Sequence, residues 1–583
     1  NEPKDLKSLS REELNLLSSE IRDVLIKRVS TTGGHFGPNL GMVEATIALH
    51  YVFNSPVDKF VYDVSHQSYV HKMLTGRKEA YINPEKFKTV TGYTEPKESE
   101  HDFFTIGHTS TSISLACGLA KGRDAVGSNE NIIAIIGDGS LSGGEAYEGL
   151  NNAAASNKNI IILVNDNDIS IAENHGGLYK NLAQLRESEG KLDNNFFKSL
   201  GFEYHFVKDG NNLESLIETF EKVKDTTRPV VVHMHTIKGK GYEDAENNKE
   251  SFHWVMPFDL ETKEPLFKGE YVKSYGDITE DFLIEKAKKD KSIVAITAAT
   301  PGIVGVNRFR SELQDQYVDV GIAEEHAIAL ASGMAKRGAK PVAAFLSSFI
   351  QRTYDQLSQD LAINNNPATI MVYWGGISGS DVTHLGLFDI PLISNIPNMV
   401  YLAPTTKEEH LAMVDWAIEQ DKHPVAIRVP NMEVVSTGVG VEANFDELNK
   451  YVMVEEGKDV AIIGLGSFFH LGKKVQERLR NTGINATLIN PRFITGVDED
   501  LLNELKENHK VVITLEDGIL DGGFGEKIAR FYGNSQMRVL NFGATKEFTD
   551  SVELDVLYER YHLTEELIVE DIEKVLADIK VFA

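Results

Sequence analysis

A chain of 583 residues, 42% apolar and 25% charged, has the composition of a soluble globular protein with room for three or four domains, and its net charge of −28 disfavours nucleic acid or an anionic membrane as a partner. Its one cysteine, Cys117 in Ile113-Ser114-Leu115-Ala116-Cys117, excludes an internal disulfide framework and a cysteine-built metal centre and reads as a core thiol. No run reaches the roughly 20 apolar residues of a membrane span, and the opening residues lack the apolar region of a signal peptide, so a cytoplasmic location is expected.

In chain order, Ser10 and Glu13 form a capping box, after which Leu14, Leu17, Ile21, Val24 and Leu25 recur at helical spacing. An amphipathic helix therefore leads into the Gly-rich turn at Thr32 to Gly37. Two β-branched runs follow, Asn131 to Ile136 and Asn159 to Val164, of the kind buried on both faces of a parallel sheet. Ser142 to Ser156, rich in Ala, Glu and Asn, fits a crossover helix between them. Further buried strands are predicted at Pro229 to His233, Ile293 to Thr297, Pro341 to Phe345, Thr369 to Tyr373, Val425 to Val429, Asp459 to Gly464, Lys510 to Leu515 and Arg538 to Asn541. With helical stretches alternating between them, this reads as repeated α/β architecture with mostly parallel sheets. Polar segments at 242–268 and 431–449 suggest three domains at 1–268, 269–438 and 447–583, with no low-complexity tract or short repeat.

Polar triplets close the first two runs: Gly137-Asp138-Gly139 and Asn165-Asp166-Asn167. Ligands of parallel α/β sheets gather at the carboxyl ends of strands, where both triplets fall. Mg²⁺ takes oxygen ligands in near-octahedral array and shares them between protein and phosphate. Asp138, the Asn167 side-chain carbonyl and the backbone carbonyl near Ile169 can supply three. A lone Gly-Asp-Gly is often only a strand-to-helix turn, but paired with Asn167 it resembles a thiamine-diphosphate motif. That cofactor needs a carboxylate beside its aminopyrimidine ring, and Glu324, in Gly321-Ile322-Ala323-Glu324-Glu325-His326, is the candidate general acid/base.

Taken with His35-Phe36-Gly37, Asp63-Val64-Ser65-His66-Gln67, Gly107-His108-Thr109-Ser110-Thr111-Ser112, Lys238-Gly239-Lys240-Gly241-Tyr242, Gln351-Arg352-Thr353-Tyr354-Asp355-Gln356 and Asp521-Gly522-Gly523-Phe524-Gly525, these motifs run in the order of the 1-deoxy-D-xylulose-5-phosphate synthase family, which the chain resembles over essentially its whole length. The resemblance implies two thiamine-diphosphate-binding domains, the cofactor between them, a C-terminal transketolase-like domain, a homodimer, and a product that feeds isoprenoid and thiamine biosynthesis. It implies cofactor contacts at His66, Gly107, His108, Thr109, Gly139, Ser140, Asn167, Tyr242 and Glu324, with Phe349 stacked on the pyrimidine. Mg²⁺ is expected on Asp138, Asn167 and Ile169. His35, His253 and His384 are implied to move protons on substrate hydroxyls, and Lys238, Asp381 and Arg428 to face substrate. The implied reaction decarboxylates pyruvate and transfers the two-carbon unit to glyceraldehyde 3-phosphate.

The acceptor side departs from the family pattern. Trp374 stands where the family has an arginine, Leu346 where it has a tyrosine and Asn431 where it has a second arginine; Ser65 replaces a glycine, and the chain is short between Glu189 and Phe197. Two alternatives therefore stand beside the leading reading: a related acyloin- or ketose-forming transferase with a different, unphosphorylated acceptor, and a cofactor-binding partner that has lost catalysis. The intact Asp138, Asn167 and Glu324 speak against the second.

Overall fold

The computed structural model describes residues 2–156, 158–267, 269 and 271–582, so the expected domain boundary at residue 268 lies outside the described residues. The chain divides into two compact units, Asn1–Tyr271 with Gly321–Ala323, and Val272–Val320 with Glu324–Ala583. Among the described residues no helix is long and apolar enough to cross a membrane.

The first unit opens with the helix Arg11–Thr32, capped as expected: Glu13 N donates to Ser10 Oγ at 3.2 Å and Ser10 N to Glu13 Oε2 at 2.8 Å. The helix buries Leu14, Ile21, Leu25 and Val29 and ends at Gly33, whose φ of 73° needs a residue without Cβ. Among the described residues this unit has strands β1 (Gly34–His35), β2 (Lys59–Tyr62), β3 (Ile132–Gly137), β4 (Ile161–Asp166), β5 (Glu203–Val207), β6 (Val230–His235) and β7 (Trp254–Val255). Five form a parallel sheet in the order β2-β3-β4-β6-β5, while β1 and β7 pair antiparallel. Successive residues of β3 enter different cores. Ile133 and Ile135 pack with Leu49 and Phe220; Ile132, Ala134 and Ile136 pack with Ile113 and Leu150. That two-sided burial is why the run reads as continuously apolar. Truncating one such isoleucine to alanine costs about 2–5 kcal/mol. The expected crossover is the helix Gly144–Ala155.

The second unit holds two sheets. The first comprises β8 (Ile293–Thr297), β9 (Tyr317–Asp319), β10 (Lys340–Leu346), β11 (Thr369–Tyr373), β12 (Val400–Leu402) and β13 (Val425–Arg428), all parallel, in the order β12-β13-β11-β10-β8-β9. The other comprises β14 (Val452–Glu455), β15 (Asp459–Gly464), β16 (Thr487–Asn490), β17 (His509–Ile519) and β18 (Arg538–Ala544), in the order β14-β16-β15-β17-β18 with only β14 antiparallel. One apolar cluster runs from Ile370 and Val372 of the first to Ile463 and Val512 of the second, which joins these two sheets in one unit. The α/β class with mostly parallel sheets is the one expected.

Candidate active site

In the first unit the functional motifs sit on the carboxyl edge of the parallel sheet. β3 and β4 are neighbours, with Gly137 opposite Asn165, so Asp138 and Asn167 leave the sheet at adjacent strand ends. The Asp138 carboxylate is buried and accepts from Asn174 Nδ2 at 2.8 Å. Burial, reinforced by the charge of Asp166, pushes its pKa well up, so the site favours a cation or a proton beside it. Asp166 differs: burial opposes its charge, but His233 at 2.8 Å and Arg186 at 2.7 Å hold its pKa down to about 2. Asn167 Oδ1 is buried and has no hydrogen-bond partner. An acidic oxygen in need of a cation and an unsatisfied amide oxygen make a hard donor set that fits Mg²⁺. Among the described residues no group of three or more His, Cys, Asp or Glu side chains could hold a metal, so amide, backbone and ligand oxygens must complete any such site.

The turn after Asp138 is tightly held. Tyr179 Oη donates to the carbonyls of Asp138 and Gly139 at 3.1 Å each, and Ser110 Oγ donates to Ser140 O at 2.7 Å. A Cβ on Gly139 would lie 2.5 Å from Ser170 Cβ, so only glycine lets the two loops close. Asp63, after β2, accepts from Ser110 N at 2.8 Å and Ser112 N at 3.0 Å, which fastens the Gly107-His108-Thr109 loop to the sheet. Ser65 adopts φ 66° where glycine is easier; its hydroxyl donates to Ile106 O at 2.7 Å and accepts from Thr94 N at 2.9 Å.

Three histidines from distant segments meet beside this edge. Ring centroids of His35 and His66 are 4.8 Å apart, His66 and His253 5.3 Å, and His35 and His253 5.6 Å. The β1–β7 pairing brings two of them together, since His35 lies opposite Trp254. Lys238 is buried, its pKa lowered to about 7 by desolvation, and its ammonium donates to Ser170 O at 2.6 Å and to His253 Nδ1 at 3.0 Å. Burial, reinforced by the Lys238 charge, holds the His253 pKa well down and favours its neutral form. Tyr242 packs 5.2 Å from Phe36, and its buried hydroxyl has no partner.

In the second unit the remaining site residues follow the strand order of the six-stranded sheet. Glu324 begins the helix Glu324–Lys336 after β9, Phe349 follows β10, Trp374 follows β11 and Arg428 ends β13. Glu324 is 4% exposed, its Oε2 has no hydrogen-bond partner, and burial lifts its pKa to about 7 against the opposing charge of Arg352, 3.8 Å away. The Phe349 ring lies 5.6 Å from His384, edge to face. His384 Nδ1 is 2.8 Å from Thr383 Oγ1 and 3.3 Å from Asp381, whose pKa is lowered, despite burial, by His384 and Thr383. Arg428 is 6% exposed: Nε and Nη2 donate to Asp389 at 2.7 and 3.3 Å, and Nη1 donates to Asp517. Its guanidinium is thus engaged by two carboxylates. Sequence reasoning missed Asp389 and Asp517, as it missed Asn174, Arg186, His233 and Arg352. Each acts through contacts that nothing in its own local sequence announces.

Two parallel-sheet units with an oxygen-lined turn on one and a buried glutamate on the other have the character of a transketolase-type thiamine-diphosphate enzyme. The family models agree: residues 1–192 and 188–236 match 1-deoxy-D-xylulose-5-phosphate synthase, 273–435 the transketolase pyrimidine binding domain and 449–568 the transketolase C-terminal domain. A 1-deoxy-D-xylulose-5-phosphate synthase of Natranaerobius thermophilus is 38% identical, covering 91% of this chain and 89% of its own. One of Halothermothrix orenii is 39% identical over 98% and 96%. A Pichia stipitis transketolase structure aligns over 97% of both chains at 15% identity and a TM-score of 0.46. The chain belongs to the 1-deoxy-D-xylulose-5-phosphate synthase family, whose members are thiamine-diphosphate-dependent transferases.

Proposed function

We propose that the chain decarboxylates pyruvate and joins the two-carbon unit to an aldehyde, which in the family reaction is glyceraldehyde 3-phosphate and gives 1-deoxy-D-xylulose 5-phosphate. The observation that carries this reading is the pairing of the buried Asp138 carboxylate with the partnerless Asn167 Oδ1 at adjacent strand ends. Thiamine diphosphate, when bound, supplies the reactive carbon that splits pyruvate and carries the fragment.

The protein's own residues do the rest. With the cofactor bound, Asp138, Asn167 and the Ile169 carbonyl would hold Mg²⁺, and His66, Gly107, His108, Thr109, Gly139, Ser140 and Tyr242 would line the cofactor. Glu324, whose pKa burial raises to about 7, would hold a proton for the aminopyrimidine ring, and Phe349 would be the aromatic beside it. His35, His253 and His384 give and take protons at substrate hydroxyls, with Lys238 holding the His253 ring through Nδ1. The division into domains 1–268, 269–438 and 447–583, a cytoplasmic homodimer and small-molecule substrates complete the reading.

Calorimetric titration of thiamine diphosphate in the presence of Mg²⁺, followed by measurement of carbon dioxide released from pyruvate, tests it. Saturable binding and acceptor-stimulated release are expected. Binding without release from pyruvate, whatever aldehyde is offered, contradicts it.

A further inference from the structure

The loop that leaves β4 carries two of the three groups that the proposed function assigns to Mg²⁺, the Asn167 side chain and the Ile169 carbonyl. Mg²⁺ tolerates little departure from octahedral geometry, so what grips this loop decides how well it can bind. Here the grip is charged. Lys249 Nζ donates to Asn167 O at 3.0 Å and Lys238 Nζ donates to Ser170 O at 2.6 Å. Two ammoniums from one downstream segment thus take the carbonyls at 167 and 170, on either side of Ile169.

The bond from Lys249 has a particular consequence. The peptide unit between Asn167 and Asp168 is anchored at both ends: its N–H donates to Asp166 Oδ1 at 3.2 Å, and its carbonyl accepts from Lys249. The Asp166 anchor is itself fixed, since Arg186 and His233 hold that carboxylate. A peptide unit is planar and rigid, so two anchors set its orientation, and with it the direction in which Asn167 sends its side chain. Asp168 holds φ 65°, a left-handed conformation that persists only where the surroundings enforce it. Beyond it, Ser170 N donates to Ala172 O at 3.1 Å, and Gly139 of the other ligand loop lies against Ser170. Those contacts fix the far side of the loop; Lys249 meets the carbonyl of the ligand residue itself.

Lys249 is placed by backbone rather than by its own charge. It follows the helix Glu243–Asn247, and the turn around it is closed by Asn248 N to Asp244 O at 2.9 Å and Phe252 N to Asn248 O at 3.1 Å. Gly37 N donates to Phe252 O at 2.8 Å and Phe36 N to His253 O at 3.2 Å, which ties the turn to the motif that carries His35. Removing the ammonium therefore leaves the turn in place and releases Asn167 O.

We infer that Lys249 is a positioning residue of the Mg²⁺ site, its ammonium fixing the Asn167–Asp168 peptide so that Asn167 Oδ1 is presented to the cation. This deepens the proposed function and rests on it, because that reading supplies the cation. A charged donor suits the task, being about twice as strong a hydrogen-bonding group as a neutral one. Its contribution is expected in metal affinity, where partners that orient a ligand act.

The experiment titrates thiamine diphosphate calorimetrically into the cofactor-free protein at a series of Mg²⁺ concentrations, for wild type, Lys249→Met and Lys249→Arg. Lys249→Met should raise the half-saturating Mg²⁺ concentration about tenfold or more, and saturating Mg²⁺ should restore the cofactor affinity. Lys249→Arg, which keeps a charged donor, should stay within about threefold of wild type. Urea unfolding of cofactor-free Lys249→Met should match wild type, since backbone bonds hold the turn. An unchanged Mg²⁺ dependence in Lys249→Met overturns the inference, as does a lowered urea midpoint or a failure of Lys249→Arg to rescue. A loss of affinity that saturating Mg²⁺ does not relieve also overturns it, because the ammonium would then be a direct diphosphate contact. In all four cases wild-type binding leaves the proposed function standing. Absence of thiamine diphosphate binding by the wild type overturns both.

Discussion

At the carboxyl edge of the first unit's sheet, Asn167 Oδ1 is buried without a hydrogen-bond partner and the buried Asp138 carboxylate accepts from the neutral Asn174 amide, whereas at the corresponding edge of the second unit's sheet Arg428 has every nitrogen matched to a carboxylate. Both places hold buried polar side chains at the ends of parallel strands, where α/β folds collect ligands. The difference lies in unused hydrogen-bonding capacity. Buried polar atoms are nearly always satisfied, so those that are not mark where something else binds, and those that are saturated mark structure. Glu324, whose buried Oε2 accepts no hydrogen bond and meets only the Arg352 charge at 3.8 Å, belongs with the first kind.

Changing Glu324 separates the two kinds most sharply. Glu324→Gln should lower kcat by about 10³-fold with little change in cofactor affinity, as loss of a general acid/base does. Steady-state carbon dioxide release and calorimetry check both halves. The same variant tests the pKa. Burial raises Glu324 to about 7 in the fold from 4.5. A raised carboxyl contributes stability below its unfolded pKa and loses it as pH climbs through the folded one. Without cofactor, the wild type should therefore lose about 3 kcal/mol relative to Glu324→Gln between about pH 4.5 and pH 7. Urea denaturation at several pH values reads it.

Arg428 should behave in the opposite way. Arg428→Met strands Asp389 and Asp517 and should destabilise the second unit by about 3–5 kcal/mol in urea melts. A variant that is folded as stably as wild type and defective only in acceptor KM would show that the arginine serves substrate instead. The smallest effect is expected at Ser65. Ser65→Gly relieves a left-handed serine but forfeits two buried hydrogen bonds, for a net loss of about 1 kcal/mol in the midpoint-derived stability.

The same contrast separates what the sequence made legible from what it did not. The runs Ile293–Thr297 and Thr369–Tyr373 are strands over their full predicted lengths because both faces pack into apolar cores, which leaves Thr297 and Thr369 as their only polar residues. Glu203–Val207 and Val452–Glu455 escaped notice because they are sheet-edge strands, partly open to solvent, with polar residues among the apolar ones. Asp138, Asn167 and Glu324 stood out because each ends a strand or begins a helix in a local motif. The saturation of Arg428 did not, because Asp389 opens a helix and Asp517 lies in a strand of the other sheet, far along the chain from Arg428. Lys238 bonding His253 was hidden for a different reason: the loop geometry that turns the ammonium inward has no sequence signature.

Asp138→Asn addresses the cation site itself, by calorimetric titration of thiamine diphosphate in Mg²⁺. Because burial disfavours the Asp138 charge, the cofactor-free variant should fold at least as stably as wild type, so that weakened binding cannot be blamed on unfolding. The account predicts cofactor affinity reduced about 100-fold or more. Wild-type affinity, with the same dependence on Mg²⁺, would contradict it.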